Sequence, residues 1–249
     1  MNYIIFDLEF NQEYKCTEKN ENTLNCPFEI IQIGAIKLDE NLNKVSSLNM
    51  IIKPSLYLTI NPVIEKLTNI NNKDLNSGVN FKIAYESFIN MLDSNSVLVV
   101  WGVSDIKELL RNIKFHELDY SLIPKKYIDI QRYASKHFKY TKGKNIGLKN
   151  AINLLDISFK DEFHNAYNDA YYTSEVFKKL YNDKFKFQIY NNNTRRNSNS
   201  NKEKSSVDFH ALIKQFEKMF KRPMTTEEIS IIKLSYIMGK TNQFQKTKH

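Results

Sequence analysis

No apolar run in these 249 residues approaches the roughly 18–20 that a membrane-spanning helix needs, so the sequence offers no helical span. Cysteine is scarce: Cys16 and Cys26 are the only two, with no zinc-site spacing and no disulfide pattern around them. Met1 leads at once into a strand-like segment, leaving no room for a signal peptide. No internal repeat is visible. These absences set the expectation of a reduced, cytoplasmic protein with no membrane partner. The length suits one sizeable domain and a small appendage, and an apolar content of 41% is ordinary for a globular chain.

A positive surplus is also missing from the first three-quarters. Residues 1–183 hold 22 Lys and Arg against 23 Asp and Glu, whereas residues 184–249 hold 14 against 5. A basic appendage on a near-neutral body points to a polyanionic partner, nucleic acid before membrane, because the tail has no strongly amphipathic membrane-binding face.

What the chain does have begins at its third residue. Tyr3-Ile4-Ile5-Phe6-Asp7-Leu8-Glu9-Phe10 is an apolar, β-prone run of the kind that forms a buried central strand, interrupted by two acids. Residues two apart on a strand share a face, so both carboxylates look out together. Two buried carboxylates side by side need a cation or a proton to neutralise them, and hard oxygen ligands suit Mg²⁺ or Mn²⁺. Residues 29–38 and 47–53 read as a strand pair joined by the turn chemistry of Asp39–Asn43. Phe81, Ala84, Tyr85, Phe88, Ile89 and Leu92 keep helical spacing. Ser96–Trp101 is a short, doubly buried strand, and Gly102-Val103-Ser104 turns into a helix with Ser104 as its expected cap and Asp105 in its first turn. A strand at 127–130 and helices at about 131–138, 147–155 and 165–181 follow. A hairpin followed by alternating strands and helices gives an α/β sandwich around a mixed sheet.

Residues 191–206 are low-complexity Asn, Ser and charged residues, a polar linker. Beyond it Phe209, Leu212, Ile213, Phe216 and Phe220 keep helical spacing. Thr225 with Glu228 makes a capping-box signature for a second helix, which Gly239 can end.

Three further residues could join Asp7 and Glu9. Asp105 sits at a helix start beyond a buried strand, a common place for a site, although an acid there is also stabilised by the helix dipole alone. His164 and Asp169 are five apart. On one continuous helix they would diverge by about 140°. With His164 on the approach loop and Asn165 as the cap, both can face one cleft.

In this order and setting, Asp7-x-Glu9, Asp105 and His164-x4-Asp169 resemble the DEDDh branch of the DEDD 3′→5′ exonucleases, closest to the Eri-type RNA exonucleases and the KapD-type proteins of sporulating bacteria. Glu29–Ala35, Lys53-Pro54, Leu67–Ile70, Trp101–Asp105 and Gly147–Ala151 support the likeness, with Asn69 standing where such proteins usually carry Gly. The resemblance covers roughly residues 1–182. It implies a ribonuclease H-like fold, a mixed five-stranded sheet flanked by helices, to which the chain adds a linker over 183–206 and a small basic helical hairpin and tail over 207–249.

The resemblance further implies that Asp7, Glu9 and Asp169 hold two Mg²⁺ or Mn²⁺ ions about 3.5–4 Å apart, with Asp7 bridging and Asp105 completing the acidic shell. His164 would be the general base. Phe10 and Asn11 would meet the terminal nucleotide, although the Phe10 ring could equally face the core. The expected substrate is single-stranded RNA or an RNA 3′ overhang, with nucleoside 5′-monophosphates as products. Two alternatives stand beside it: a DNA exonuclease using the same site, and a non-catalytic KapD-like sporulation regulator that binds nucleic acid.

Overall fold

The computed structural model describes residues 1–13, 25–140, 144–159, 163–182, 185–190 and 208–240. Its sheet is built on β1 (Asn2–Asn11), which pairs antiparallel with β2 (Glu29–Leu38) on one side and parallel with β4 (Ser96–Val100) on the other. β3 (Lys44–Ile51) extends the β2 side, and β5 (Lys126–Asp129) pairs parallel with β4. A sixth strand, β6 (Gln188–Ile189), closes the order β3-β2-β1-β4-β5-β6. The expected count of five strands is therefore one short. Two residues carry no readable alternation, and this pair lies inside the stretch read as linker.

Alternation along β1 divides the core. Ile4, Phe6 and Leu8 face one side, with Phe81, Ala84 and Phe88 of α3 (Phe81–Ile89) and Ile106, Leu109 and Ile113 of α4 (Ser104–Phe115). Tyr3 and Ile5 face the other, with α5 (Ile130–His137), α6 (Leu148–Leu154) and α7 (Ala166–Leu180). Every residue of β4 is buried, as its unbroken apolar run predicts. Two short helices, α1 (Pro62–Thr68) and α2 (Asn72–Ser77), cover a satellite cluster of Ile31, Ile60, Ile64, Ile70 and Leu75.

The C-terminal helices are α8 (Phe209–Phe220) and α9 (Thr226–Lys240). The Thr225–Glu228 capping box forms in both directions: the Glu228 N–H donates to Thr225 Oγ1 at 3.2 Å and the Thr225 N–H to Glu228 Oε2 at 2.8 Å. Gly239 does not end α9, which continues to Lys240. The hairpin touches the body at α1, where Lys66 and Glu227 pair at 2.6 Å in an exposed position. Residues 191–206 of the linker lie outside the described residues.

Candidate active site

Asp7 and Glu9 continue the row that Tyr3 and Ile5 begin, so they emerge on the α7 side where the apolar core ends. Across the β1–β2 ladder, Asp7 faces Gly34 and Glu9 faces Gln32. A bulge between Glu9 and Phe10 then shifts the register, and a bulge re-aims the side chains around it.

Asp105 arrives from the neighbouring strand. β4 ends at Val100, and the chain bends through Gly102, whose φ of +92° an L side chain rarely adopts. α4 begins at Ser104 itself, its cap position is Val103, and no side chain caps it. The expected Ser104 cap is thus displaced by one residue, because the glycine turn delivers the chain to the helix early. Asp105 keeps its place in the first turn and is 8% exposed.

Asp169 and His164 come from the start of α7. Asn165 caps that helix, its side-chain oxygen accepting from the Tyr167 and Asn168 N–H groups. His164 just before it lies in the left-handed region at φ +66°, which curls the approach loop back on the helix. The His164 N–H donates to Asp169 Oδ2 at 3.2 Å. Ligand atoms of Glu9, His164 and Asp169 all lie within 4.8 Å of one another. The other carboxylate oxygen of Asp169 is buried and has no hydrogen-bond partner.

The electrostatics follow from crowding. Burial, then the charges of Asp105, Asp169 and Glu9, pushes the Asp7 carboxyl well above the usual carboxylate range. Glu9 is raised in the same way by burial, Asp169 and Asp105. Burial and then Glu108 and Asp169 lift Asp105 to about 8. Burial lifts Asp169 to about 7, against the lowering effect of the His164 N–H. His164 moves down, by partial burial and by the nearby Lys149 ammonium, so its imidazole is neutral and able to accept a proton at pH 7. Four acids that repel one another, with one buried oxygen left unsatisfied, form a donor set for hard divalent cations. The residues fit such ions.

Phe10 and Asn11 have internal contacts. Phe10 packs against the α3–α4 side of the core, with the Phe28 ring 6.2 Å away. Asn11 is fully buried, donating to the carbonyls of Tyr57 and Thr59 and accepting from the Asn61 N–H. Glu29 holds the same loop, its carboxylate accepting from the N–H groups of Leu56 and Tyr57 and from Ser55 Oγ. Lys149, beside His164, carries no signal in the sequence that separates it from other lysines. Gln32 and Gly34 lie in the stretch Glu29–Ala35, yet nothing in one sequence tells which residues face the acids.

The exonuclease family model (RNase T) matches residues 4–177. No curated protein matches the chain. Among solved structures, the nuclease domain of 3′hExo, a DEDDh family member, bound to rAMP is similar at 18% identity and a TM-score of 0.63, covering 76% of this chain and 96% of that one. Cell-death related nuclease 4 (CRN-4) is similar at 18% identity and a TM-score of 0.60, covering 76% and 66%. Exonuclease I of E. coli with a dA16 oligonucleotide is similar at 15% and 0.54, covering 72% and 40%. The match covers more than two-thirds of the chain and includes Asp7, Glu9, Asp105, His164 and Asp169, and with it the chain belongs to the exonuclease family, on a fold shared with the DEDDh 3′-exonucleases.

Proposed function

We propose that the chain is a divalent-cation-dependent 3′→5′ exonuclease that removes nucleoside 5′-monophosphates from single-stranded RNA or RNA 3′ overhangs. The observation that carries the reading is the buried, unpartnered oxygen of Asp169 inside a ring of mutually repelling acids, with neutral His164 against it. Asp7, Glu9 and Asp169 would hold two Mg²⁺ or Mn²⁺ ions, with Asp105 completing the shell. When bound, such ions neutralise the acids, acidify water and stabilise charge on the reacting phosphate.

The chain's own residues then have defined tasks. His164 takes the proton of the attacking water. The water oxygen forms the new bond to the terminal phosphorus as the bond to the 3′ oxygen breaks, leaving a 5′-monophosphate and a shortened 3′-hydroxyl end. The terminal nucleotide has to enter unpaired. The Asn11 side chain is spent on the 57–61 loop, so contact with that nucleotide at Phe10 and Asn11 falls to their backbone.

RNA is favoured by the family likeness and by solved relatives described with rAMP and with a histone mRNA stem-loop. Relatives described with single-stranded DNA keep a DNA exonuclease as the second reading. A cytoplasmic setting accords with the chain's few cysteines. No helix among the described residues is long and apolar enough to cross a membrane. The test is digestion of 5′-labelled RNA and DNA oligonucleotides of matched sequence, with Mg²⁺ or Mn²⁺, by the wild type and Asp7→Ala. A one-nucleotide ladder on RNA that disappears in the variant is expected. Preference for DNA would promote the second reading. Tight, cation-independent binding without digestion would replace both with a regulatory binding role.

A further inference from the structure

The β2 residues opposite the two catalytic acids are themselves a matched pair. Gly34 faces Asp7, and a Cβ placed on it would lie 2.2 Å from the Ala166 carbonyl group and the Tyr167 nitrogen, so the first turn of α7 rests on bare β2 backbone. Gln32 faces Glu9 and is 1% exposed. Its Oε1 accepts from the Ala166 N–H at 3.0 Å, and its Nε2 donates to Asn49 Oδ1 of β3 at 2.9 Å.

The Gln32 bond completes an account of the helix start. The first N–H groups of a helix have no partner within it. Here those of Tyr167 and Asn168 go to the Asn165 side chain and that of Asp169 to the Asn165 carbonyl. Ala166 alone is held from outside, by the strand that pairs with the catalytic acids. The contact therefore fixes α7 in height and rotation against β1, and Asp169 lies one turn further on.

We propose that Gln32 and Gly34 form a seat on β2 that sets where α7 delivers Asp169 and the His164 loop against Asp7 and Glu9, with Gln32 as a positioning residue for the reaction. Gly34 sets the distance of approach and Gln32 sets the register. The Ala166 N–H, a donor only, fixes which end of the Gln32 amide faces the helix, and Asn49 Oδ1 takes up the amide's other end. The proposal rests on the acidic cluster being the catalytic centre.

The test compares Gln32→Met, Gln32→Glu and Asn49→Ala. Gln32→Met keeps the volume and removes the acceptor. It is expected to lower kcat by about 10–100-fold, as loss of a supporting contact does, with KM for a short oligonucleotide within about threefold because no substrate contact is removed. Hydrogen exchange at the Ala166 amide should accelerate relative to amides in the middle of α7. Gln32→Glu keeps an acceptor at a helix N-terminus and should restore the Ala166 protection, while kcat stays low because a fifth buried carboxylate then faces Glu9. Asn49→Ala, on an exposed edge position, should shift both readouts in the Gln32→Met direction by less.

Unchanged Ala166 exchange with kcat within about twofold in Gln32→Met would overturn the seat. So would a Gln32→Glu protein whose Ala166 amide exchanges as fast as in Gln32→Met. If Gln32→Met does not fold, Asn49→Ala decides, and wild-type exchange and kcat there would overturn the proposal. The exchange measurement needs no activity, so an inactive wild type would sink the nuclease reading while the amide still judges the seat.

Discussion

Helices α7 and α8 carry similar alternations of apolar and polar residues and meet different fates. α7 buries eight of its 15 residues, including Tyr172, Val176 and Phe177, against β1 and β2. α8 buries none of its 12, and Met219 and Phe220 remain 66% and 58% exposed. The pattern that makes a helix does not supply its partner. α7 meets a sheet with a glycine cut out to receive it, whereas α8, among the described residues, packs chiefly against a second helix. The charge separates the regions in the same sense. Residues 208–240 hold six Lys and Arg against four Asp and Glu, so most of the tail's positive surplus lies in the flanking polar stretches rather than on the helices. On the function proposed, chemistry would belong to the region where packing fixes geometry, and the tail would contribute attraction.

The sharpest way to test that division is to remove one functional group from α7. Asp169→Asn is expected to cut kcat by about 10³-fold or more, about 4 kcal/mol of barrier, while a thermal melt without cations stays at or above that of the wild type because a repelled carboxylate is gone. A lowered melting temperature of similar weight would make Asp169 a structural acid. Next in size is Gly34→Ala, which drives a methyl into the α7 backbone. Overpacking of this kind costs about 1–3 kcal/mol or more, so both melting temperature and kcat should fall, and an unaffected protein would deny the close seat.

The acids also predict an unusual pH dependence. Their folded-state values are raised above the ordinary carboxylate range, with Asp169 at about 7 and Asp105 at about 8. The folded chain therefore holds protons that the unfolded chain has lost, and cation-free stability should fall as pH rises from about 4.5 to 8. In EDTA the melting temperature is expected to be several degrees lower at pH 8 than at pH 5.5. Mg²⁺ should restore more of it at pH 8, since binding displaces those protons. A cation-free stability that rises over this interval would contradict the crowding. The smallest structural effect should come from removing residues 191–249. The cut falls after Tyr190 so as to keep β6 and the Tyr190 contact on Tyr127. The melting temperature should hold within about 2 °C, digestion of very short oligonucleotides should persist, and binding to long single strands should weaken with a flatter salt dependence.

Much of the body can be read from residue order. The Asp7-x-Glu9 strand, the Asn165 cap that lets His164 and Asp169 share a side, and Asp105 in a first turn all rest on local spacing, and local spacing is what one sequence records. The pairing of Gln32 with Glu9 and Gly34 with Asp7 is not local. It depends on an antiparallel register and on a helix over 130 residues away, so neither residue stands out. The two-residue strand β6 is too short to alternate, and the early start of α4 follows from a single glycine turn. The Phe10 ring, open between core and substrate on sequence alone, is drawn inward where the bulge redirects the end of β1.

The loop from Pro54 to Asn61 has little regular structure, yet the buried side chains of Asn11 and Glu29 take up its backbone groups from beneath. It is anchored two residues beyond Glu9. An exonuclease must accept a new strand end after every cleavage, and each ordering of a slack loop would add an entropic delay to the cycle. Riveted from below, this border would enter every round already set, and on the function proposed successive nucleotides are expected to meet the same edge.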